Sequence, residues 1–201
     1  MRSMAWRAAV DAVQLEGKLS FKNLGDDGIR HLTQVIADRE TRVLDVSCNS
    51  VTATGATALA THLRANGTLT KLDVSANNLG DSGVAALAQS LEGNTSLTHL
   101  DLHACRCGDE GVQEWARVLP RLASLDTLSL ASNDITDLGC TAFAAGLKQN
   151  TTLTAINLHG NDFGKAGEEA LVAAVKAQGR ITSVGSAQGM QMLEDVGCVV
   201  A

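Results

Sequence analysis

The chain has almost no aromatic side chains: Phe, Trp and Tyr together make up 2% of its 201 residues, and Tyr is absent. Platforms on which nucleic-acid bases stack need those rings, so base stacking is excluded as a main activity. Positive charge is also scarce. Lys and Arg number 16 against 22 Asp and Glu, and the net charge of -6 repels phosphate backbones and acidic membrane surfaces. Neither a nucleic acid nor a membrane is therefore expected as a partner. No apolar run is long enough to span a bilayer, and the N-terminal MRSMAWRAAVDAVQLEG is broken by Arg7 and Asp11. No signal peptide is expected from it. The five cysteines, Cys48, Cys105, Cys107, Cys140 and Cys198, are an odd number without the density of a disulfide scaffold. They predict free thiols in a reducing, cytoplasmic setting.

What the chain does have is 45% apolar residues, mostly Ala, Leu and Val, and a period. Asn49, Asn77, Asn133 and Asn161 lie on a lattice of 28 residues, with Cys105 at the remaining point. Leu44, Leu72, Leu100, Leu128 and Ile156 form a second column, and Val46, Val74, Leu102, Leu130 and Leu158 a third. Gly55, Gly83, Gly111, Gly139 and Gly167 recur with the same step, as do the large apolar residues Leu59, Leu87, Trp115, Phe143 and Leu171. An earlier unit (Leu19, Leu24, Gly28, Leu32, Ile36) is one residue shorter, and a degraded one begins at Ile181 and Val184. Five clear units and two partial ones signal a repeat architecture.

Each unit reads as strand, turn, helix. In LTKLDVSANNL, Leu72 and Val74 alternate with Lys71, Asp73 and Ser75, the pattern of a half-buried strand. Val84, Leu87, Ala88 and Leu91 then follow at helical spacing as one apolar stripe. Asp81 is expected to cap the helix it opens, and Asp26, Asp109 and Asp137 recur at its position. Asn66, Asn94 and Asn150 are expected to end helices in the left-handed conformation that Asn tolerates. That shared role also explains their formal glycosylation motifs, so glycosylation is not expected.

The pattern LxxLxLxxNxLxxxGxxxLAxxLxxNxx resembles the ribonuclease-inhibitor class of leucine-rich repeats over roughly residues 17 to 185. The resemblance implies an α/β fold: a right-handed β/α solenoid arc with a parallel sheet on the concave face and helices on the convex face. Strands about 4.8 Å apart and helices about 8–10 Å apart bend such a stack toward its strands. The family's Asn forms a ladder that bonds backbone groups of the turn after the strand. That role carries over to Asn49, Asn77, Asn133 and Asn161, with Cys105 as a substituted rung. The expected organisation is an N-terminal helical cap over 1–16, the solenoid over 17–185 and a C-terminal cap or tail over 186–201. Trp6, Val10 and Val13 share a face of the first cap, and Met190, Leu193 and Val196 one of the second. Both ends of a repeat array need covering.

The stretch LTHLDLHACRCGDEG offers His99, Asp101, His103, Cys105 and Cys107, all possible zinc ligands. Strand alternation separates them. Leu100 and Leu102 point into the core, so His99, Asp101 and His103 face outward while both cysteines face inward. A set split across a sheet cannot close a tetrahedral site, so no metal and no cofactor is expected. Turns such as GDSG and GDEG carry an acid where a phosphate would bind, and no Ser, His and Asp set has the spacing of a triad. The chain is not expected to be an enzyme.

A rigid concave surface with variable outward positions suits recognition, so a non-catalytic protein-binding module is the expected function. Lys71, Asp73, His99, Asp101, His103, Thr127, Ser129, Asn157 and His159 are the expected contact residues. Ala131 and Ala155 add small outward positions that a protruding partner element can approach. Two alternatives stay open. One is a regulator of a small GTPase, since the Ran GTPase-activating protein uses this repeat type, although that family carries a long acidic tail. The other is a scaffold that self-associates through its apolar end, with a monomer preferred.

Overall fold

The computed structural model describes residues 6–185 in full and the backbone of 199–200. Strands and helices alternate along it. After a short helix α1 (Trp6–Asp11) come β1 (Glu16–Lys18), α2 (Gly25–Ile36), β2 (Val43–Asp45), α3 (Ala53–Ala65), β3 (Lys71–Asp73) and α4 (Gly80–Ser90). The array continues with β4 (His99–Asp101), α5 (Asp109–Val118), a 3-10 turn (Leu119–Arg121), β5 (Thr127–Ser129), α6 (Asp137–Leu147), β6 (Ala155–Asn157), α7 (Lys165–Gln178) and β7 (Ser183–Gly185). A two-residue β8 (Val199–Val200) pairs with β7. All strands are parallel and follow chain order in one open sheet, and each helix packs on the next. The result is a β/α solenoid arc with the sheet inside and the helices outside. Among the described residues no helix is long and apolar enough to cross a membrane.

The core follows the sequence columns. Leu44, Leu72, Leu100, Leu128 and Ile156 stack in register under the sheet, with Val46, Val74, Leu102, Leu130 and Leu158 one step on, all buried. Leu59, Leu87, Trp115, Phe143 and Leu171 meet them from the helices. Among the described residues the extensive contacts run between neighbouring units, so each repeat buries its apolar face against the next.

Behind each strand the buried Asn column forms a ladder. Asn133 donates Nδ2 to the carbonyls of Leu102 and Leu130 (both 2.9 Å) and Ala131 (3.1 Å). Its Oδ1 accepts the Cys105 and Cys107 amides, both at 3.0 Å. Asn77 repeats the arrangement two rungs earlier, accepting from Asn49 and Val51, and Asn49 and Asn161 bond their neighbouring turns likewise. Cys105 keeps only part of it: its Sγ–H donates to the Val74 carbonyl at 3.4 Å. The residue before each rung is left-handed throughout, at Phe21, Cys48, Ala76, Ala104, Ser132 and Gly160.

The acidic column works differently from the sequence expectation. Asp26, Asp81, Asp109 and Asp137 do not cap the helices they open; each caps the helix of the following repeat. Asp109 Oδ1 accepts the amides of Thr136 (2.8 Å) and Gly139 (3.0 Å) at the start of α6, and its Oδ2 accepts the Thr136 hydroxyl at 2.6 Å. Asp26 serves Thr52 and Gly55 of α3, Asp81 serves Gly108 and Gly111 of α5, and Asp137 serves Gly164 and Gly167 of α7. The physical reason is geometric. An acid already inside the first turn points outward across the stack, where the neighbouring helix presents free amides. Burial pushes the Asp26 and Asp109 carboxyls up, but the threonine and backbone bonds outweigh it and hold both below the ordinary value.

Ala53 occupies the acidic column between Asp26 and Asp81, and α4 accordingly has no side-chain cap. Gly80 there turns left-handed (φ +60°) and donates its amide to the Cys105 carbonyl at 3.1 Å. Gly25 does the same toward Asn49.

The helix-ending asparagines also depart from expectation. Asn66 is extended, and neither Asn94 nor Asn150 is left-handed. They form a second side-chain ladder instead. Asn94 Nδ2 donates to the carbonyls of Leu63 and Asn66, and its Oδ1 accepts the Ser96 and Leu97 amides. Asn150 bonds Leu119, Thr152 and Leu153 in the same way, and Gln178 extends the ladder to the Asn150 carbonyl.

At the N-terminal end, Val10 and Val13 are buried and Trp6 packs over His31 with ring centroids 5.6 Å apart. His31 Nε2 meets Asp11 Oδ1 at 2.8 Å, and Arg39 donates to the Asp11 and Val13 carbonyls. Val13 lies beyond the end of the six-residue helix. The C-terminal helix expected from Met190, Leu193 and Val196 falls outside the described residues.

Candidate partner-binding face

Strand register decides which outward side chains are neighbours. Lys71, His99, Thr127 and Ala155 are consecutive Cα partners, and so are Asp45, Asp73, Asp101, Ser129 and Asn157. At about 4.8 Å per step, each row is a continuous strip of functional groups. The two rows line a depression of about 490 Å³ bounded by Lys18, Asp45, Lys71, Asp73, His99, Asp101, Thr127 and Ser129. A second depression of about 260 Å³ continues it over Thr127, Ser129, Ala155, Asn157 and Ser183. Of the sequence-named residues, the first hollow gathers Lys71, Asp73, His99, Asp101, Thr127 and Ser129, and the second adds Asn157. His103 and His159 are exposed but line neither hollow. Ala131 departs from the expected outward position: it is 4% exposed and offers a partner nothing.

The row of acids is partly committed to its own backbone. Asp45, Asp73 and Asp101 each accept the amide two residues on, at Ser47, Ser75 and His103 (2.8–2.9 Å), and Asn157 does so for His159 at 3.0 Å. These bonds close the turn after the strand, so a short acceptor side chain at that position serves the fold as well as the surface. Burial raises the Asp73 carboxyl above its ordinary value; the bonds from Ser75 oppose this, and the charges of Asp101 and Asp45 on either side reinforce it. Beside the acids, His99 Nδ1 meets the Thr98 hydroxyl at 2.8 Å, which fixes the ring. Sequence reasoning left Lys18 and Asp45 out of the contact set. Asp45 stands in the same outward row as Asp73, 28 residues on, and the signal for Lys18 was the shorter first unit, whose strand pairs it with Asp45.

His99, Asp101 and His103 stand on this face while Cys105 and Cys107 are fully buried behind it. Among the described residues, no group of three or more His, Cys, Asp or Glu is arranged to hold a metal ion. Burial pushes the Cys105 and Cys140 thiols up to about 12, and Cys107 higher still. Burial thus favours the neutral thiol, which is a poor nucleophile.

No curated protein matches the chain by sequence. Among solved structures it is similar to the leiomodin-1 actin-binding site 2 fragment, at 21% identity and a TM-score of 0.59 over 71% of this chain and 83% of that one. It is also similar to the tropomodulin C-terminal domain of Caenorhabditis elegans, at 12% identity and a TM-score of 0.61 over 71% and 88%. At such identities the likeness is one of fold. The leucine-rich repeat family pattern matches residues 42–60, 65–88, 93–114, 122–144 and 149–172, together more than half of the chain. These stretches carry the columns and ladders described above, and the chain belongs to the leucine-rich repeat family.

Proposed function

We propose that the chain is a non-catalytic module that binds a protein partner on its concave face, through Lys71, Asp73, His99, Asp101, Thr127 and Ser129, with Asn157, His103 and His159 at the margin. The observation that carries this reading is the strand register, which merges two rows of polar groups into one hollow of about 490 Å³ on a rigid sheet. Aromatic anchors, the usual hot spots of interfaces, are missing from that face, which favours a polar, charge-assisted contact. The 28-residue β/α unit supports the ribonuclease-inhibitor-like subclass, and the division into cap (1–16), solenoid (17–185) and tail (186–201) and a monomeric state belong to the same proposal. The free thiols of Cys48, Cys105, Cys107 and Cys140 fit a reducing, cytoplasmic setting, and the net charge of -6 disfavours nucleic acid and membranes as partners.

The test is an affinity pull-down from the source lysate with three forms of the chain. Wild type and Glu92→Lys on the helical side are expected to retain the same partner, and Asp73→Lys with Asp101→Lys to lose it. The similar leiomodin-1 structure is that protein's actin-binding site 2, so co-sedimentation with actin filaments is the first specific arm. Loss of the partner only with helix-side changes would remove the concave face from consideration.

A further inference from the structure

Beside the concave face, where the strands turn toward the helices, lies a second groove of about 660 Å³ that the proposed function does not use. It crosses four consecutive repeats. Phe21 stands at one end and Arg106 at the other, with the small side chains of Cys48, Ala76 and Ala104 as its floor. All five residues are left-handed, with φ between 51° and 59°. That conformation is costly for a bulky residue; the ladder turn imposes it on Phe21, Cys48, Ala76 and Ala104 alike, so what varies there is the side chain displayed, while Arg106 shares it with Asn23 and Ser50 of its own column. Here the side chain at one end is a phenyl ring 79% exposed.

Two facts narrow what the groove accepts. The amides of Phe21, Cys48 and Ala76 already donate to carbonyls of the next repeat, at 2.8–3.3 Å, so along the floor a ligand meets side chains rather than these amides. Arg106 is the sole charged residue in the lining, and among the described residues it has neither an ion pair nor a side-chain hydrogen bond. On a chain with net charge -6, this is a local cationic end to a neutral trough. Asp134 and Asp162 occupy the next two positions of the Arg106 column and repel an acidic ligand from the far side. They direct it back along the trough toward Phe21.

We propose that this groove binds a short, extended, acidic segment of a protein partner, with a carboxylate on Arg106 and an apolar side chain on Phe21. Three inter-repeat steps of about 4.8 Å separate the ends by about 14 Å, which an extended chain covers in about four residues. The recognised pattern is therefore an apolar residue followed by an acid four positions later. Small floor residues let the ligand backbone lie close, and the Arg106 guanidinium can take the carboxylate through two N–H groups.

The test uses the full chain and fluorescein-labelled pentapeptides read by anisotropy. The peptides carry Leu, Phe or Ser first, three Ser in the middle, and Asp, Ser or Lys fifth. Affinity is expected to fall in the order Asp, Ser, Lys, and the Asp peptide is expected to weaken with added salt. Arg106→Glu, and the turn-compatible Arg106→Asn, should each weaken the Asp peptide about tenfold, and Phe21→Asn should erase the preference for Leu or Phe over Ser. Asp134→Asn should tighten binding, whereas Asp73→Lys on the concave face should leave it unchanged. Equal affinity for Asp and Lys peptides, no binding at millimolar protein, or insensitivity to both Arg106 changes would overturn the proposal. So would a concentration-dependent dimer in light scattering that Phe21→Asn abolishes, because the occupant would then be a second copy.

Discussion

Asp109 Oδ1 accepts the Gly139 amide at 3.0 Å, and a Cβ added to Gly139 would lie 2.4 Å from that same oxygen. One contact thus ties the two columns together wherever the acid is present; Gly83, opposite Ala53, is hemmed in by Leu79, Ala53 and Ala56 instead. The glycine is bare because the carboxylate of the preceding helix occupies the space a side chain would need. Gly55 meets Asp26 in the same way, and Gly167 meets Asp137.

Replacing Gly139 by Ala should therefore destabilise the chain, and replacing Asp109 by Ala should cost about 1 kcal/mol for the lost cap. The two costs should not add. In the Asp109→Ala background the Gly139→Ala penalty should shrink, a coupling of about 0.5–3 kcal/mol in a double-mutant cycle by chemical denaturation. Additive costs would mean that the carboxylate is not what excludes the side chain.

Ala53→Asp supplies the missing member of the acidic column. The new carboxylate should accept the Gly80 and Gly83 amides and raise stability by about 0.5–1 kcal/mol. The gain is modest because Gly80 already has the Cys105 carbonyl as acceptor. A structure of the variant should show Gly80 extended rather than left-handed; a left-handed Gly80 with unchanged stability would refute the role of the column.

Cys105→Asn should restore the broken rung. Asn77 and Asn133 each accept two amides through Oδ1, whereas at Cys105 the Leu79 amide lacks the side-chain acceptor that Val51 and Cys107 have. The expected gain is about 1 kcal/mol, while Asn133→Ala should lose about 1–3 kcal/mol, both measurable by thermal melts.

Asp73 and Asp109 should respond to pH with opposite signs. The Asp73 carboxyl is raised in the folded chain, so its unfavourable contribution is absent in acid and grows as pH rises through the raised value. Asp73→Asn should then melt higher than wild type at neutral pH, with the difference closing below about pH 4. The Asp109 carboxyl is lowered, so its contribution is present above the unfolded value and lost as pH falls through the folded one. Asp109→Asn should melt lower at neutral pH and converge with wild type in acid.

Burial keeps Cys105, Cys107 and Cys140 protonated. In the native chain at mildly alkaline pH, mass spectrometry after iodoacetamide treatment should find these thiols unmodified while the half-buried Cys48 reacts. Labelling of Cys105 at the rate of Cys48 would contradict the core placement.

The sequence by itself determined the arc. A strand position must alternate, a helix position must recur on one face, and the buried turn must satisfy its amides. These demands repeat at every unit, so Leu72, Leu87 and Asn77 announce their roles by recurring 28 residues on. The concave rows were legible for the same reason, because alternation alone aims Lys71, Asp73 and His99 outward. What the tertiary structure alone decided was where side chains go between repeats. Asp109 reads locally as a cap for its own helix; only the offset of stacked units aims it at Gly139, 30 residues away. Phe21, Cys48 and Arg106 have no preference for a left-handed backbone, so propensity concealed the trough they line. Ala131 looked outward by parity and is buried. Period encodes what each repeat must do for itself; the contacts it makes with the next depend on the stack, which forms only when the whole array is folded.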